Sequence, residues 1–157
     1  VFGKQNLYEH STRVPFIVKG PGIPKGSKVP APIYLQDVMA SSLSLAGVEK
    51  PEHVEFNDIL PLARGTTKKS PYKEIYGAYL NVQRSITKNN IKILAYPQVP
   101  LIRVYDLAKD PEEEKDIAAT EKGKEWIAKL FPRLLKLQKT MGDSLDLTQS
   151  FPQFSSR

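Results

Sequence analysis

Between Glu74 and Tyr105, four short segments rich in β-branched and aromatic residues follow one another with barely room to turn: Glu74–Leu80, Val82–Thr87, Ile91–Tyr96 and Pro100–Tyr105. Turn chemistry separates them, most clearly at Lys88-Asn89-Asn90 and Pro97-Gln98. Connections this short can join only antiparallel neighbours, because parallel strands need a crossover of about a dozen residues. The spacing therefore predicts a four-stranded antiparallel meander. Ile91, Ile93 and Ala95 alternate with Lys92 and Leu94, a half-covered pattern, so the apolar face needs a partner. After Thr120, Ile127, Leu130, Phe131, Leu134 and Leu135 recur at helical spacing, with Lys129, Arg133, Lys136 and Lys139 largely on the other side. Pro132 should bend or restart that helix, because it lacks a backbone donor and crowds the preceding turn. Gly142 should end it. From Leu145 to Arg157 there is no periodicity, and this tail is expected to order only against a neighbour.

Upstream the rhythm differs. Val14-Pro15-Phe16-Ile17-Val18 has the composition of a short buried strand. From Gly20 to Pro32, seven of thirteen residues are Gly or Pro, which makes a surface loop. Asp37 is placed as an N-capping carboxylate for an amphipathic helix that Gly47 closes, and a shorter helical stretch runs over Asp58–Ala63. A strand, a loop and a helix make an α/β layer. One such strand cannot close a core, so its sheet partners are expected to lie outside this sequence. The start at Val1-Phe2-Gly3-Lys4, without an initiator Met or signal segment, is consistent with a cut inside a longer chain. The expected organisation is an α/β portion over 1–65, a linker over 66–71, an α+β subdomain over 72–142 and an irregular tail over 143–157.

A composition of 40% hydrophobic and 25% charged residues is that of a globular chain. No stretch approaches the roughly 20 apolar residues that span a bilayer. The absence of cysteine excludes a disulfide scaffold, a thiolate metal site and a Cys nucleophile within these residues. His10 and His53 alone are too few for a His-rich metal centre. The formal charge of +6 favours acidic partners. It is concentrated in Lys4, Arg13, Lys19, Lys25 and Lys28, and again in Arg64, Lys68, Lys69 and Lys73. No nucleic-acid-binding motif accompanies it and 109–125 is net acidic, so nucleic acid is not the expected partner. What remains is mostly anion chemistry.

Four motifs sharpen this. Gly3-Lys4 is followed by Tyr8-Glu9-His10 and by Arg13-Val14-Pro15, leading to Gly20-Pro21-Gly22. Asp37 through Gly47 ends in Leu45-Ala46-Gly47. Arg84-Ser85-Ile86 precedes Ile91-Lys92-Ile93, and Val104-Tyr105-Asp106-Leu107 precedes Asp110-Pro111-Glu112 through Ile117-Ala118. In this order, over about residues 1–142, the chain resembles the sulfatase family. The resemblance implies an alkaline-phosphatase-like fold in which 1–65 is the C-terminal end of the catalytic α/β domain. The remainder would be the C-terminal subdomain, a four-stranded antiparallel sheet with a helix. It also implies hydrolysis of sulfate esters, with calcium and a formylglycine nucleophile. The Cys/Ser-x-Pro-x-Arg motif that yields formylglycine is absent here, so nucleophile and metal ligands are expected upstream and the isolated fragment is expected to be inactive.

By the same resemblance Lys4 contacts the sulfate; without the motif it would be an ordinary solvated lysine. His10 stands where many relatives have Gly, either as a hydrogen-bond donor to substrate or as a structural histidine capping a turn. Glu9 and Arg13 are expected to pair and brace the turn, and Arg84 to anchor the second domain to the first. Tyr8 is expected in the core or cleft wall, His53 in solvent, and Trp126 between helix and sheet. Glu112-Glu113-Glu114 is attributed to the dipole of a helical turn rather than to calcium. The expected partner is a sulfated small molecule or carbohydrate, and the resemblance points to a periplasmic or extracellular setting. Two other readings stay open: a phosphatase or phosphonate hydrolase of the same superfamily, and a non-catalytic module for anionic glycans.

Overall fold

The computed structural model describes residues 4–154. They divide into two compact units, one formed by the residues up to Val14 together with those from Glu74 onward, the other by Pro15–Lys73.

In the first unit, β1 (Ile75–Tyr79), β2 (Gln83–Lys88), β3 (Ile91–Tyr96) and β4 (Leu101–Asp106) form an antiparallel sheet in sequential order. The expected meander is present almost to the residue. Asn89 and Asn90 both take positive φ, 49° and 61°, so the β2–β3 turn uses the residue type that best tolerates the left-handed region after glycine. Pairing of Ile86 with Ile93 and of Ile93 with Val104 puts one apolar row across the sheet. Against it lies the long helix (Glu121–Thr140, α4), whose Leu130, Phe131 and Leu134 are fully buried. Thr120 caps this helix by accepting from the Gly123 N–H at 3.0 Å. The helix runs through Pro132 without ending; that residue faces solvent, where a lost hydrogen bond is replaced by water. Trp126 packs partly buried at the edge of this core, with the Lys129 ammonium 4.9 Å from its ring centre.

The tail departs from expectation. A helical turn (Leu147–Ser150, α5) and a 3-10 turn (Pro152–Phe154) bring Leu147 and Phe151 into the main core, with Phe151 edge-on to Phe131. The neighbour that orders it is its own sheet and helix. A second departure concerns the acidic run. No helix follows Asp110; its carboxylate accepts from the Glu114 and Lys115 N–H groups, making a turn in which Glu113 has φ +57°. The helix-dipole explanation for the run is therefore wrong. Beyond this turn, Asp116 accepts from the Val104 N–H and Ile117 donates to the Val104 carbonyl, which satisfies the outer edge of β4.

In the second unit the helix Asp37–Leu45 (α2) and the turn Leu60–Ala63 (α3) are present. Gly47, with φ +66°, closes α2 in a Schellman arrangement through Val48 N–H to Leu43 carbonyl. Asp37 is not the cap. Gln36 holds that position, and the Asp37 carboxylate is fully buried. It accepts from Tyr34 N–H at 2.8 Å, from Asn57 N–H at 3.0 Å and from the Tyr72 hydroxyl. Burial, and then that carboxylate, push the Tyr72 phenol up to about 12. The strand expected at Val14–Val18 is not formed. A strand requires a hydrogen-bonding neighbour, this segment has none among the described residues, and Ile17 is 91% exposed.

Candidate functional site

The motif-bearing segment Asn6–Thr12 lies on the face of the sheet opposite α4. The alternation at β3 suggests a half-covered sheet, but Lys92 and Leu94 are 2% and 0% exposed, so this face is covered too. Leu7 packs on Leu94 and Tyr105 and donates its N–H to Gln83 Oε1 at 2.8 Å. Gly77 makes room for it, since a Cβ there would come within 2.5 Å of Ser85 Oγ and 3.4 Å of the Leu7 side chain. The short helix Glu9–Thr12 (α1) follows at once.

An ion cluster clamps this helix. Lys92 Nζ lies 2.9 Å from Glu9 Oε1 and 3.0 Å from Glu113 Oε1, while Glu113 Oε2 accepts the Glu9 N–H. Glu9 thus pairs with Lys92 and not with Arg13, which is exposed. The reason is burial: an ammonium removed from water needs carboxylates, whereas a guanidinium in solvent does not.

Lys4 is exposed, two residues before the covered segment. His10 is also exposed. Its Nε2 lies 3.2 Å from Asn6 Nδ2, which can only donate, so Nε2 accepts. Its ring stacks on Tyr8 at 5.9 Å with an interplanar angle of 11°. Tyr8 itself is half-buried, and the Tyr96 hydroxyl donates to the Tyr8 oxygen at 2.7 Å. The residues that sequence reasoning did not find are Lys92 and Glu113. Their only signals were a lysine inside an apolar strand and an acidic run.

Arg84 is tied within the first unit. It forks onto Asp143, with Nη2 3.0 Å from Oδ1 and Nε against Oδ2, and Tyr76 donates its hydroxyl to the same carboxylate. The loop after α4 is thereby tied to β1 and β2. Arg84 first, and Tyr76 after it, hold the Asp143 carboxyl well below the ordinary aspartate range. In the second unit His53 is exposed as expected, and lines a hollow of about 530 Å³ together with Leu35, Met39 and Phe56. Among the described residues no three His, Asp or Glu side chains converge on a metal-sized point, and no helix is long and apolar enough to cross a membrane.

The sheet and its helices match solved sulfatase structures. A crystal structure assigned to the sulfatases, from Bacteroides thetaiotaomicron, matches with a TM-score of 0.76 at 26% identity, over 88% of this chain and 32% of that one. A second, solved in complex with its substrate D-glucosamine-2-N,6-O-disulfate, matches with a TM-score of 0.60 at 22% identity, over 69% of this chain and 24% of that one. Residues 1–140 match the family described as N-sulphoglucosamine sulphohydrolase, C-terminal, and the chain belongs to it. Human arylsulfatase K is 30% identical over 130 residues, which is 74% of this chain and 24% of that protein. The chain thus spans about a quarter of the length of the curated relatives it matches.

Proposed function

We propose that this chain is the C-terminal part of a sulfatase that hydrolyses sulfate esters of a carbohydrate, with Lys4 contacting the sulfate. On this reading 1–65 is the end of the catalytic α/β domain, 66–71 a linker, 72–142 the C-terminal subdomain and 143–157 its tail. The observation that carries the reading is the clamp at Glu9. It seats the stretch from Asn6 to His10, which begins two residues after Lys4, on the sheet, and fixed geometry is what a group stabilising transition-state charge requires. Sulfate transfer develops negative charge on the transferring group and on the leaving oxygen. A compact ammonium at Lys4 would stabilise the former, and the exposed His10 ring would meet a sugar hydroxyl or the leaving oxygen.

The family's calcium and formylglycine belong to residues outside this chain, and no step here is routed through them. The family points to a periplasmic or extracellular setting. A sulfated sugar is the substrate class named for one neighbour of the fold, and it suits the basic stretches at 19–28 and 64–73. The test is Lys4→Ala in the full-length protein. Turnover of a sulfated monosaccharide should fall by about two orders of magnitude or more with the melting temperature unchanged. Near-normal turnover would remove Lys4 from the site, and turnover of phosphate esters in place of sulfate esters would overturn the assignment of reaction.

A further inference from the structure

Arg103 on β4 points to the face that carries the Tyr8 segment, beside Tyr105 on the same strand and Leu94 across the ladder. It is half-buried, and among the described residues it has no carboxylate partner. The nearby acids are committed elsewhere, since Glu9 and Glu113 both serve Lys92. Among the described residues its one hydrogen bond is long, from Nη1 to the Tyr105 hydroxyl at 3.4 Å. Tyr8 packs edge-on to Tyr105 at 5.9 Å, and the Tyr96 hydroxyl reaches Tyr8. The hydroxyl of Tyr105, then those of Tyr8 and Tyr96, act on the guanidinium and hold it firmly charged.

This arrangement leaves a half-buried cation with most of its donor fork unused among the described residues, and with phenols beside it. A planar donor fork that no carboxylate among the described residues fills matches a carboxylate or a sulfate. We propose that Arg103, with the Tyr8 and Tyr96 hydroxyls beside it, forms a subsite for an anionic group on a sugar, and that the buried Tyr105 orients the guanidinium from below. That the ligand is a sugar rests on the sulfatase reading; the anion chemistry does not. The group recognised would be a second one, apart from the sulfate at Lys4, so the site would select sugars carrying two negative charges.

The test measures binding rather than turnover. Full-length protein carrying Lys4→Ala, so that the proposed sulfate contact is silent, is titrated calorimetrically with glucuronate, with glucose 6-sulfate and with glucose. The anionic sugars should bind and glucose should not, and the tighter of the two anions identifies the group recognised. Adding Arg103→Gln should weaken that binding by at least about tenfold, the loss expected for a charge-assisted fork. Adding Tyr96→Phe, a smaller change that keeps the ring, should weaken it by about threefold, with thermal unfolding followed in both. Anion binding undiminished by Arg103→Gln, or absent before that change, overturns the subsite. Arg103-dependent binding in a protein that hydrolyses no sulfate ester would sink the sulfatase reading and leave the subsite standing.

Discussion

Lys92 shows how much a single side chain can organise. Its ammonium is 2% exposed and bridges two carboxylates, one of which, Glu113, is 1% exposed at the side chain. Removing one member of a buried ion cluster strands the others without water or partner, at about 3–5 kcal/mol. Lys92→Met should therefore lower the unfolding free energy by about 3 kcal/mol or more in urea titration, although methionine fills nearly the same space. The partnership was not legible in the sequence, where 83 residues separate Lys92 from Glu9. A lysine in an apolar strand ordinarily signals the solvent face, and only knowing that a distant segment covers that face reverses the sign. Asp37 teaches the same lesson, because a carboxylate just before a helical run resembles a cap whether its acceptors point forward into the helix or back to Tyr34. Lys4 was singled out by motif and His10 as a departure from it, and a motif marks positions and not their surroundings.

At the scale of elements the sequence was far more transparent. Strand ends, sheet order and the long helix follow from local rules, since period-two alternation and turn residues act within a few positions. The tail was opaque because its two anchors, Leu147 and Phe151, are one turn apart, too short a run to show periodicity. Phe151→Ala should cost about 3–4 kcal/mol, a loss readable in the melting curve, as expected for an emptied aromatic site. Gly123→Ala tests a competition inside α4. Alanine is about 1 kcal/mol better in a helix, but its Cβ would sit 1.9 Å from the Ile117 carbonyl oxygen, which is backbone and cannot swing aside. The steric effect should win and the variant should melt lower. Acid should loosen the loop after α4. The Asp143 carboxyl is held below its ordinary value, so its contribution is complete above the ordinary aspartate range. It is lost as pH falls through that range toward the folded value. Between about pH 5 and about pH 2 the wild type should lose more stability than Asp143→Asn, as followed by denaturant midpoints.

For the whole molecule, the two units differ in how much each can bury. The sheet-and-helix unit has a core of aromatic and branched residues from every strand. Pro15–Lys73 buries little beyond Ala40, Val54, Ile59, Leu60 and Leu62, and leaves Phe16, Ile17, Leu35, Met39 and Leu45 more than 40% exposed. Stability follows buried apolar area. Amide hydrogen exchange on this chain should thus be markedly faster across α2 and α3 than across β2, β3 and α4. Equal protection in the two units would contradict this account. The expectation of a strand at Val14–Val18 failed for the same reason, because composition states what a segment could pair with and not whether the pairing strand is at hand.

The bond from Leu7 to Gln83 spans 76 positions of chain. During synthesis the stretch from Asn6 to His10 therefore leaves the ribosome long before the surface it rests on, and waits unseated until β4 has followed. A premature stop codon anywhere ahead of Asp106 would remove that seat and strip the proposed sulfate contact of its support, even though every motif residue at the beginning had been translated faithfully.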